Sequence, residues 1–173
     1  MAILLIALLL IPVSGFAQKR DTLQTDVGNP GGFCRIREFH PNGKFSKVWF
    51  TDWNKDGSVT KSFSQYNRQG IRIVNADSTF AARGNLLKVQ RKLGDTIEGE
   101  ETEFDSYGNV STKRISIYYE GKYVIFIRAY NASAPFYAVV DGNPPQRMQI
   151  NPERFFEAER IFNEKVFKHS ISN

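Results

Sequence analysis

Apolar and polar residues alternate in short segments between residues 35 and 130, and glycines separate these segments. Five times an aromatic residue stands four positions ahead of a glycine. The pairs are Phe39 and Gly43, Trp53 and Gly57, Tyr66 and Gly70, Phe80 and Gly84, and Phe104 and Gly108. The first four of these glycines are 14, 13 and 14 residues apart, and Gly94 and Gly121 continue the spacing. Period-two alternation with a regularly placed turn residue predicts a meander of β-hairpins.

The pattern predicts an all-β fold, an antiparallel meander of about eight to ten strands spanning residues 35–150. It leaves open whether the sheet stays open or curls into a partly closed barrel. Residues 123–130 are apolar at nearly every position. Because such a strand has no polar face, we expect it to be central and covered on both sides.

A helical pattern follows at the C-terminus, in residues 151–173. Asn151 suits the N-cap and Pro152 the first helical position. Apolar residues then recur at helical spacing: Phe155, Ala158, Phe162 and Val166, with Phe156 and Phe167 widening the stripe. We expect an amphipathic helix from about 152 to 168 that packs on one sheet face. The alternative is an exposed helix that binds a partner.

The N-terminus resembles an export signal. Residues 2–13 are almost all apolar, but this run is shorter than the roughly 20 residues that span a bilayer. Gly15 and Ala17 place small residues at the −3 and −1 positions of a cleavage site. We therefore predict a signal peptide over 1–17 and a flexible leader over 18–34. The alternative is an uncleaved membrane anchor, since no Lys or Arg precedes the apolar run.

Charge and cysteine content narrow the choice of partners. The chain carries a net charge of +5, but no basic run reaches five residues. This distribution, in a chain predicted to be exported to the periplasm or beyond the cell, argues against nucleic acid and favours a protein or a cell-surface glycan. Cys34 is the only cysteine, so an internal disulfide is impossible. We expect a buried thiol, with intermolecular pairing or a redox role as alternatives.

Motifs for catalysis are sparse. The two histidines, His40 and His169, lie near no nucleophile elbow, and neither a zinc motif nor a phosphate loop is present, so no cofactor is expected. Acidic residues cluster between 95 and 105, where a carboxylate pair would be the basis of a hydrolase. Alternation places Glu98 and Glu101 on opposite faces, however. A two-residue loop at Gly94 would instead pair these acids with Arg91 and Lys88 across a hairpin.

One segment matches the start of a calcium loop. Asp52, Asn54, Asp56 and Gly57 occupy positions 1, 3, 5 and 6 of that motif. The closing acid is absent, because Phe63 stands at position 12. The pattern therefore favours an ordinary Asp-Gly hairpin turn over a metal site.

Aromatic residues are the strongest candidates for binding. Trp49, Trp53 and Tyr66 would present rings on a flat sheet, where rings stack on sugars or grip a peptide. The alternative is that the rings only pack between neighbouring hairpins.

The turn sequences resemble bacterial MORN-variant and YD-type repeats over residues 36–122. Residues 39–44 are similar to the MORN-variant turn, and residues 66–70 and 104–108 to the YD turn. Members of these groups include antitoxin-like, envelope and secreted scaffold proteins. The resemblance implies a non-enzymatic binding or scaffold module at the bacterial envelope. An immunity or antitoxin-like protein that occludes a toxin is the second hypothesis, and a polysaccharide-active hydrolase is the third.

Overall fold

The protein is described here from a computed structural model, which covers residues 19–142 and 144–171, with side chains to residue 169. The described residues form eleven strands and one helix. These elements are β1 (Arg20–Thr25), β2 (Phe33–Phe39), β3 (Phe45–Trp53), β4 (Val59–Tyr66), β5 (Arg72–Phe80), β6 (Leu86–Leu93), β7 (Gly99–Phe104), β8 (Val110–Tyr119), β9 (Lys122–Ala129), β10 (Phe136–Val140), β11 (Gln146–Gln149) and α1 (Pro152–Ile171).

The strands form one open sheet whose spatial order follows the chain from β1 to β11. Every neighbouring pair is antiparallel, so the predicted all-β meander with a C-terminal helix is confirmed. The sheet has two free edges, β1 and β11, which answers the question of open sheet or barrel.

The structure differs from the flexible leader predicted for 18–34. Strand β1 pairs with β2 from Arg20 opposite Glu38 to Thr25 opposite Phe33, and Arg37 binds both carboxylate oxygens of Asp21 at 2.8 Å. Most side chains of β1 are exposed. Backbone hydrogen bonds therefore hold this edge strand in place although it has no buried face. Its sequence shows no alternation of apolar and polar residues, so the strand was not predicted. The predicted signal peptide, 1–17, lies outside the described residues.

The five aromatic–glycine steps form five turns of one kind. In each, the glycine amide donates to the carbonyl of the residue that follows the aromatic ring. The pairs are Gly43 to His40, Gly57 to Asn54, Gly70 to Asn67, Gly84 to Ala81 and Gly108 to Asp105, at 2.8–3.1 Å. All five glycines have φ between +81° and +86°, a region that residues with a β-carbon avoid. Gly94 and Gly121, at +55° and +78°, lie in turns of other construction.

Turns at the same end of the sheet contact one another. The Asn42 amide donates to the carbonyl of Arg68 at 2.7 Å, and Lys44 Nζ donates to that of Gln69 at 2.6 Å. His40 Nε2 donates to the carbonyl of Tyr66 at 3.0 Å. These bonds tie the β2–β3 turn to the β4–β5 turn, and they place His40 in a structural position.

Helix α1 divides the sheet into a helix-bearing face and an opposite face. Cross-strand partners share a face, and successive residues of a strand alternate between faces. Under the helix lie Ile115, Phe126 and Ala138, which are consecutive partners on β8, β9 and β10. The buried core comprises Leu93, Ile115, Ile117, Val124, Phe126, Ala138, Phe155, Ala158 and Phe162. This core lies wholly in the C-terminal half of the sheet and in α1.

The predicted stripe of α1 is confirmed at its centre and wrong at its margin. Phe155, Ala158 and Phe162 are at most 1 % exposed, whereas Phe156 and Phe167 are 47 % and 63 % exposed. Successive helical residues are about 100° apart, so Phe156 and Phe167 point along the helix flank rather than into the core.

Strand β9 is covered by a second layer on one face only, which corrects the prediction of cover on both. Val124 and Phe126 lie under α1. On the opposite face Ile127 is 7 % exposed, although no helix lies over it among the described elements. Its cross-strand partners, Arg114 and Tyr137, flank it there.

Replacing a turn glycine by alanine should destabilise the protein more where the new β-carbon lies closer to a neighbouring atom. Gly57→Ala would place a β-carbon 3.0 Å from Cβ of Ala82, whereas Gly43→Ala would meet no described atom within 4 Å. Positive φ alone costs a non-glycine residue about 1–2 kcal/mol. We expect urea unfolding to show that loss for Gly43→Ala and a larger one for Gly57→Ala. Equal losses would contradict the contact between turns.

Two phenylalanines of α1 should differ sharply in their effect on stability. Phe162→Ala should lower the free energy of unfolding by about 3–5 kcal/mol, because it opens a cavity in the core. Phe167→Ala should change it by less than about 0.5 kcal/mol, since that ring is largely exposed. Chemical denaturation of both variants measures the difference.

Candidate ligand-binding face

Helix α1 covers only part of its face of the sheet. It packs against β5, β6, β8 and β9, and the core beneath it contains no residue of β1–β5. On β2–β5 the same face continues with partly exposed apolar and aromatic side chains. We call this region the open face; it comprises Cys34, Ile36, Lys47, Trp49, Thr51, Trp53, Val59, Lys61, Phe63, Ser78 and Phe80.

Two apolar rows cross the open face. The first contains Ile36, Trp49 and Phe63, which are consecutive cross-strand partners, and the Trp49 and Phe63 ring centroids lie 5.5 Å apart. The second contains Trp53, Val59 and Phe80 in the same relation. The rows exist because the turns fix the register, so that rings from separate strands meet.

A polar row separates the two apolar rows. Cys34, Thr51, Lys61 and Ser78 are consecutive partners on β2 to β5. Lys61 Nζ lies 5.1 Å from the centroid of the Phe80 ring, a cation–π distance. A shallow groove of about 390 Å³ runs over Thr51, Lys61 and Trp53. Apolar and polar side chains therefore alternate across the open face from one row to the next.

The open face is positively charged. Lys47 and Lys61 are its cations, and Glu38, opposite Lys47 at its border, is the acid on this side of β2–β5 among the described residues. The opposite face of the same strands mixes both signs, as in the pair of Arg37 with Asp21 on the adjoining edge. The open face therefore carries two cations against one acid.

Cys34 is partly exposed rather than buried, which corrects the expectation of a buried thiol. It lies in the polar row, directly opposite Thr51. Since one layer of strands forms this part of the sheet, no second layer of described elements covers the thiol.

The structure brings together two of the three aromatic residues singled out in the sequence. Trp49 and Trp53 share the open face. Tyr66 follows a bulge after Gln65 and lies in another ring cluster, 6.0 Å from Phe45. Arg72 stacks over its ring at 5.5 Å. That cluster also receives Arg37 from the opposite face, so Tyr66 is not part of the open face.

Sequence reasoning did not single out four apolar members of the open face as binding candidates: Ile36, Val59, Phe63 and Phe80. Each looked like an ordinary strand residue. Only the cross-strand register places them beside the tryptophans, and that register includes a bulge next to the β2–β3 turn and another next to the β4–β5 turn. The period of the turn glycines was the signal from which it could have been derived.

The calcium-loop candidates do not converge. Asp52 lies within β3 opposite Thr60, on the face away from Trp53. Asp56 accepts hydrogen bonds from the hydroxyl and the amide of Ser58, at 2.6 and 2.9 Å, and these bonds lower the pKa of Asp56. Asn54 donates to the hydroxyl of Ser58 at 2.9 Å. Within the described ranges no three His, Cys, Asp or Glu side chains are grouped as metal ligands.

The acidic hairpin has a register two residues away from the predicted one. Arg91 lies opposite Glu100 and Lys88 opposite Glu103, rather than opposite Glu98 and Glu101. The difference arises because the chain reverses over residues 94–98 instead of over a two-residue loop. Opposite charges still face each other, so the predicted kind of pairing survives the change of register.

Ion pairs from this hairpin fasten α1 to the sheet. Glu100 binds Arg91 and Lys113 at 2.6 Å each, and Lys113 also binds Glu159 of the helix. Arg91 donates to the Asn163 side chain at 2.6 Å. Burial raises the pKa of Glu100, but the two cations outweigh burial, and its pKa lies below the ordinary value.

Three further acids of the cluster are also paired with cations. Glu101 binds Lys88 at 2.5 Å and Arg114 at 2.6 Å, Glu103 binds Arg114 at 2.7 Å, and Glu98 binds Lys165. Burial raises the pKa of Glu101, and its two basic partners lower it further than burial raises it. These contacts tie the acidic hairpin to β8 and to the helix.

No protein-family model matches the chain, and no curated protein matches it. The protein is therefore classified by its fold alone. It is an open antiparallel β-meander with one helix that covers part of one face and leaves the rest of that face uncovered. None of the described helices is long and apolar enough to cross a membrane.

The ion pairs of Glu100 should make stability depend on acidity. Because the pKa of Glu100 is lowered on folding, its contribution is complete above the unfolded value, about 4.3, and disappears as the pH falls through the folded value. Glu100→Gln should cost roughly 1–3 kcal/mol at pH 7 and lose less on further acidification than the parent chain. Urea unfolding at pH 7 and pH 3 tests this, with Asp141→Asn as the exposed control.

Proposed function

We propose that the protein is an exported, non-enzymatic binding module of the bacterial cell envelope whose open face holds an acidic cell-surface glycan. The observation that carries the proposal is the pair of apolar rows around Trp49 and Trp53, left uncovered beside a polar row. Large rings left partly exposed together on one side of a sheet are typical of a binding surface.

The alternation of apolar and polar rows suits a sugar chain. A sugar ring has an apolar face, which stacks on aromatic side chains, and a rim of hydroxyls, which hydrogen-bond to polar ones. Trp49 and Trp53 are four residues apart on one strand, or about 13 Å. Thr51 lies between them on the same face, with Lys61 as its partner. A linear glycan along β3 would therefore meet rings and hydroxyl-binding groups in turn.

Charge selects among glycans. Lys47 and Lys61 give the open face a positive potential, and the whole chain is positive by +5. Fields of this sign concentrate polyanions near a surface. We therefore favour a polymer of uronic acids or another acidic sugar over a neutral one.

A peptide partner is the alternative occupant. Extended peptides add to a free sheet edge, but the open face lies within the sheet, where β2–β5 are all paired on both sides. A folded protein would need a surface complementary to closely alternating rings, hydroxyls and ammonium groups. A glycan, whose rings and hydroxyls alternate along the chain, matches this surface better. The immunity-type hypothesis rests on the sequence resemblance.

Glycan binding can be tested with residues that the chain already contains. Its two tryptophans and its single cysteine all lie on the open face. Titration with sodium alginate, a linear polyuronate, should shift tryptophan emission and slow the reaction of Cys34 with a maleimide. Neutral dextran should do neither at the same concentration, and high salt should weaken the alginate effect.

Matched variants locate the binding. Trp53→Ala should weaken alginate binding about tenfold or more in affinity electrophoresis, as expected of a central ring. Tyr66→Ala removes a ring of similar size from the other cluster and should leave affinity unchanged, with circular dichroism confirming the fold of both. If alginate binds without protecting Cys34, or if both variants bind alike, the open face is not the glycan site.

A further inference from the structure

A second cavity lies at the far end of the helix-bearing face, between β8–β11 and the start of α1. Its volume is about 330 Å³, within the range of small-ligand sites, roughly 300–1,000 Å³. The sheet forms its floor, strand β11 one wall, and the first turn of the helix another. It shares no lining residue with the groove on the open face.

The floor of this cavity is apolar. Val124, Phe126 and Ala138 form it, and they are 4 %, 2 % and 3 % exposed. Met148 and Ile150 continue the apolar lining along the wall that leads from β11 into α1. An acyl chain laid on this floor would bury its surface against side chains already withdrawn from water, which is a favourable place for hydrocarbon.

Tyr119 closes one side of the cavity. Its ring meets Phe126 edge-on, with centroids 5.3 Å apart, and its hydroxyl donates to Glu157 at 3.0 Å. That hydrogen bond is the main cause that raises the pKa of Tyr119. The contact engages one oxygen of the Glu157 carboxylate and fixes the ring as an apolar wall.

The rim carries two cations. Lys122 pairs with Tyr119 across the β8–β9 hairpin, and Arg154 lies in the first turn of α1. Neither side chain belongs to a salt bridge among the described residues, in contrast to the paired cations of the acidic hairpin. Glu120, in the turn, is the acid on the rim. With Glu157 on the Tyr119 hydroxyl, two cations and two acids surround the mouth of the cavity, and the two cations are the groups that an anion would bind.

We infer that this cavity binds a single-chain amphipathic carboxylate of medium length, such as a ten-carbon fatty acid. The hydrocarbon lies over Val124, Phe126 and Ala138, and the carboxylate lies between Lys122 and Arg154. An ionised carboxylate bound to an ammonium and a guanidinium gains charge-assisted hydrogen bonds that a neutral head group lacks. The inference does not depend on the proposed glycan site, which lies on other strands.

Isothermal titration of the whole chain with sodium decanoate, below its micelle concentration, tests this inference. Decyltrimethylammonium is the matched probe, since it has the same chain length and the opposite charge. Decanoate should bind at one site and at least about tenfold more tightly than the cation. It should also raise the unfolding temperature, as a ligand of the native state does. Equal binding of the two probes overturns the inference.

Two double variants distinguish decanoate binding in this cavity from non-specific attraction of decanoate to a positively charged protein. Lys122→Gln with Arg154→Gln should weaken decanoate binding about tenfold or more. Lys55→Gln with Arg68→Gln removes the same charge from two exposed turns and should leave binding unchanged. Equal weakening in both pairs, or in neither, contradicts the site. Retention of alginate binding by the first pair would show that the open face is intact.

A second arm distinguishes a free acid from a lipid surface. Vesicles of phosphatidylglycerol present the same chemistry, an acyl chain with an anionic group, in a membrane. Co-sedimentation of the chain with these vesicles should be weak and insensitive to Lys122→Gln with Arg154→Gln, because a cavity of about 330 Å³ has room for one medium-length chain rather than a two-chain lipid. Strong sedimentation that this variant abolishes would overturn the free acid as the ligand.

Discussion

The packing of α1 on β8, β9 and β10 is the interaction on which the rest of the structure depends. Phe155, Ala158 and Phe162 meet Ile115 and Phe126 in the only buried core of the described chain. Burial of apolar surface is the main force that stabilises a fold. Strands β1–β4 contribute no residue to this core, and the helix contacts only β5 at their border. They extend from this core as a single layer, which is held by backbone hydrogen bonds between strands, contacts between neighbouring turns and cross-strand side-chain pairs.

A single layer has a chemical consequence. Side chains on both of its faces stay near water, so a row of rings such as Trp49 and Phe63 remains available to a ligand instead of vanishing into a core. The helix also forms one wall of the second cavity, because its first turn lies beside the floor around Val124 rather than over it. Both proposed sites therefore follow from the partial coverage of one sheet by one helix.

The turns were the most predictable part of the fold. A glycine at positive φ four residues after a ring is a local requirement, and all five predicted steps have that geometry. The helix start at Asn151 and Pro152 is local in the same way. Strand β1 and the exposure of Phe156 depend instead on neighbours distant in the chain. The position of Tyr66 follows from alternation along β4, which places it on the face opposite to Phe63 and Trp49.

The sequence alone thus determined an antiparallel meander with a C-terminal helix, since alternation, glycine spacing and helix capping are read within a few residues. It also identified Trp49 and Trp53 as candidates for binding. Tertiary structure decided which rings share a face, which acids are neutralised, and where the helix stops covering the sheet. Those properties depend on cross-strand register, and a shift of one or two residues, as in the acidic hairpin, changes every pair.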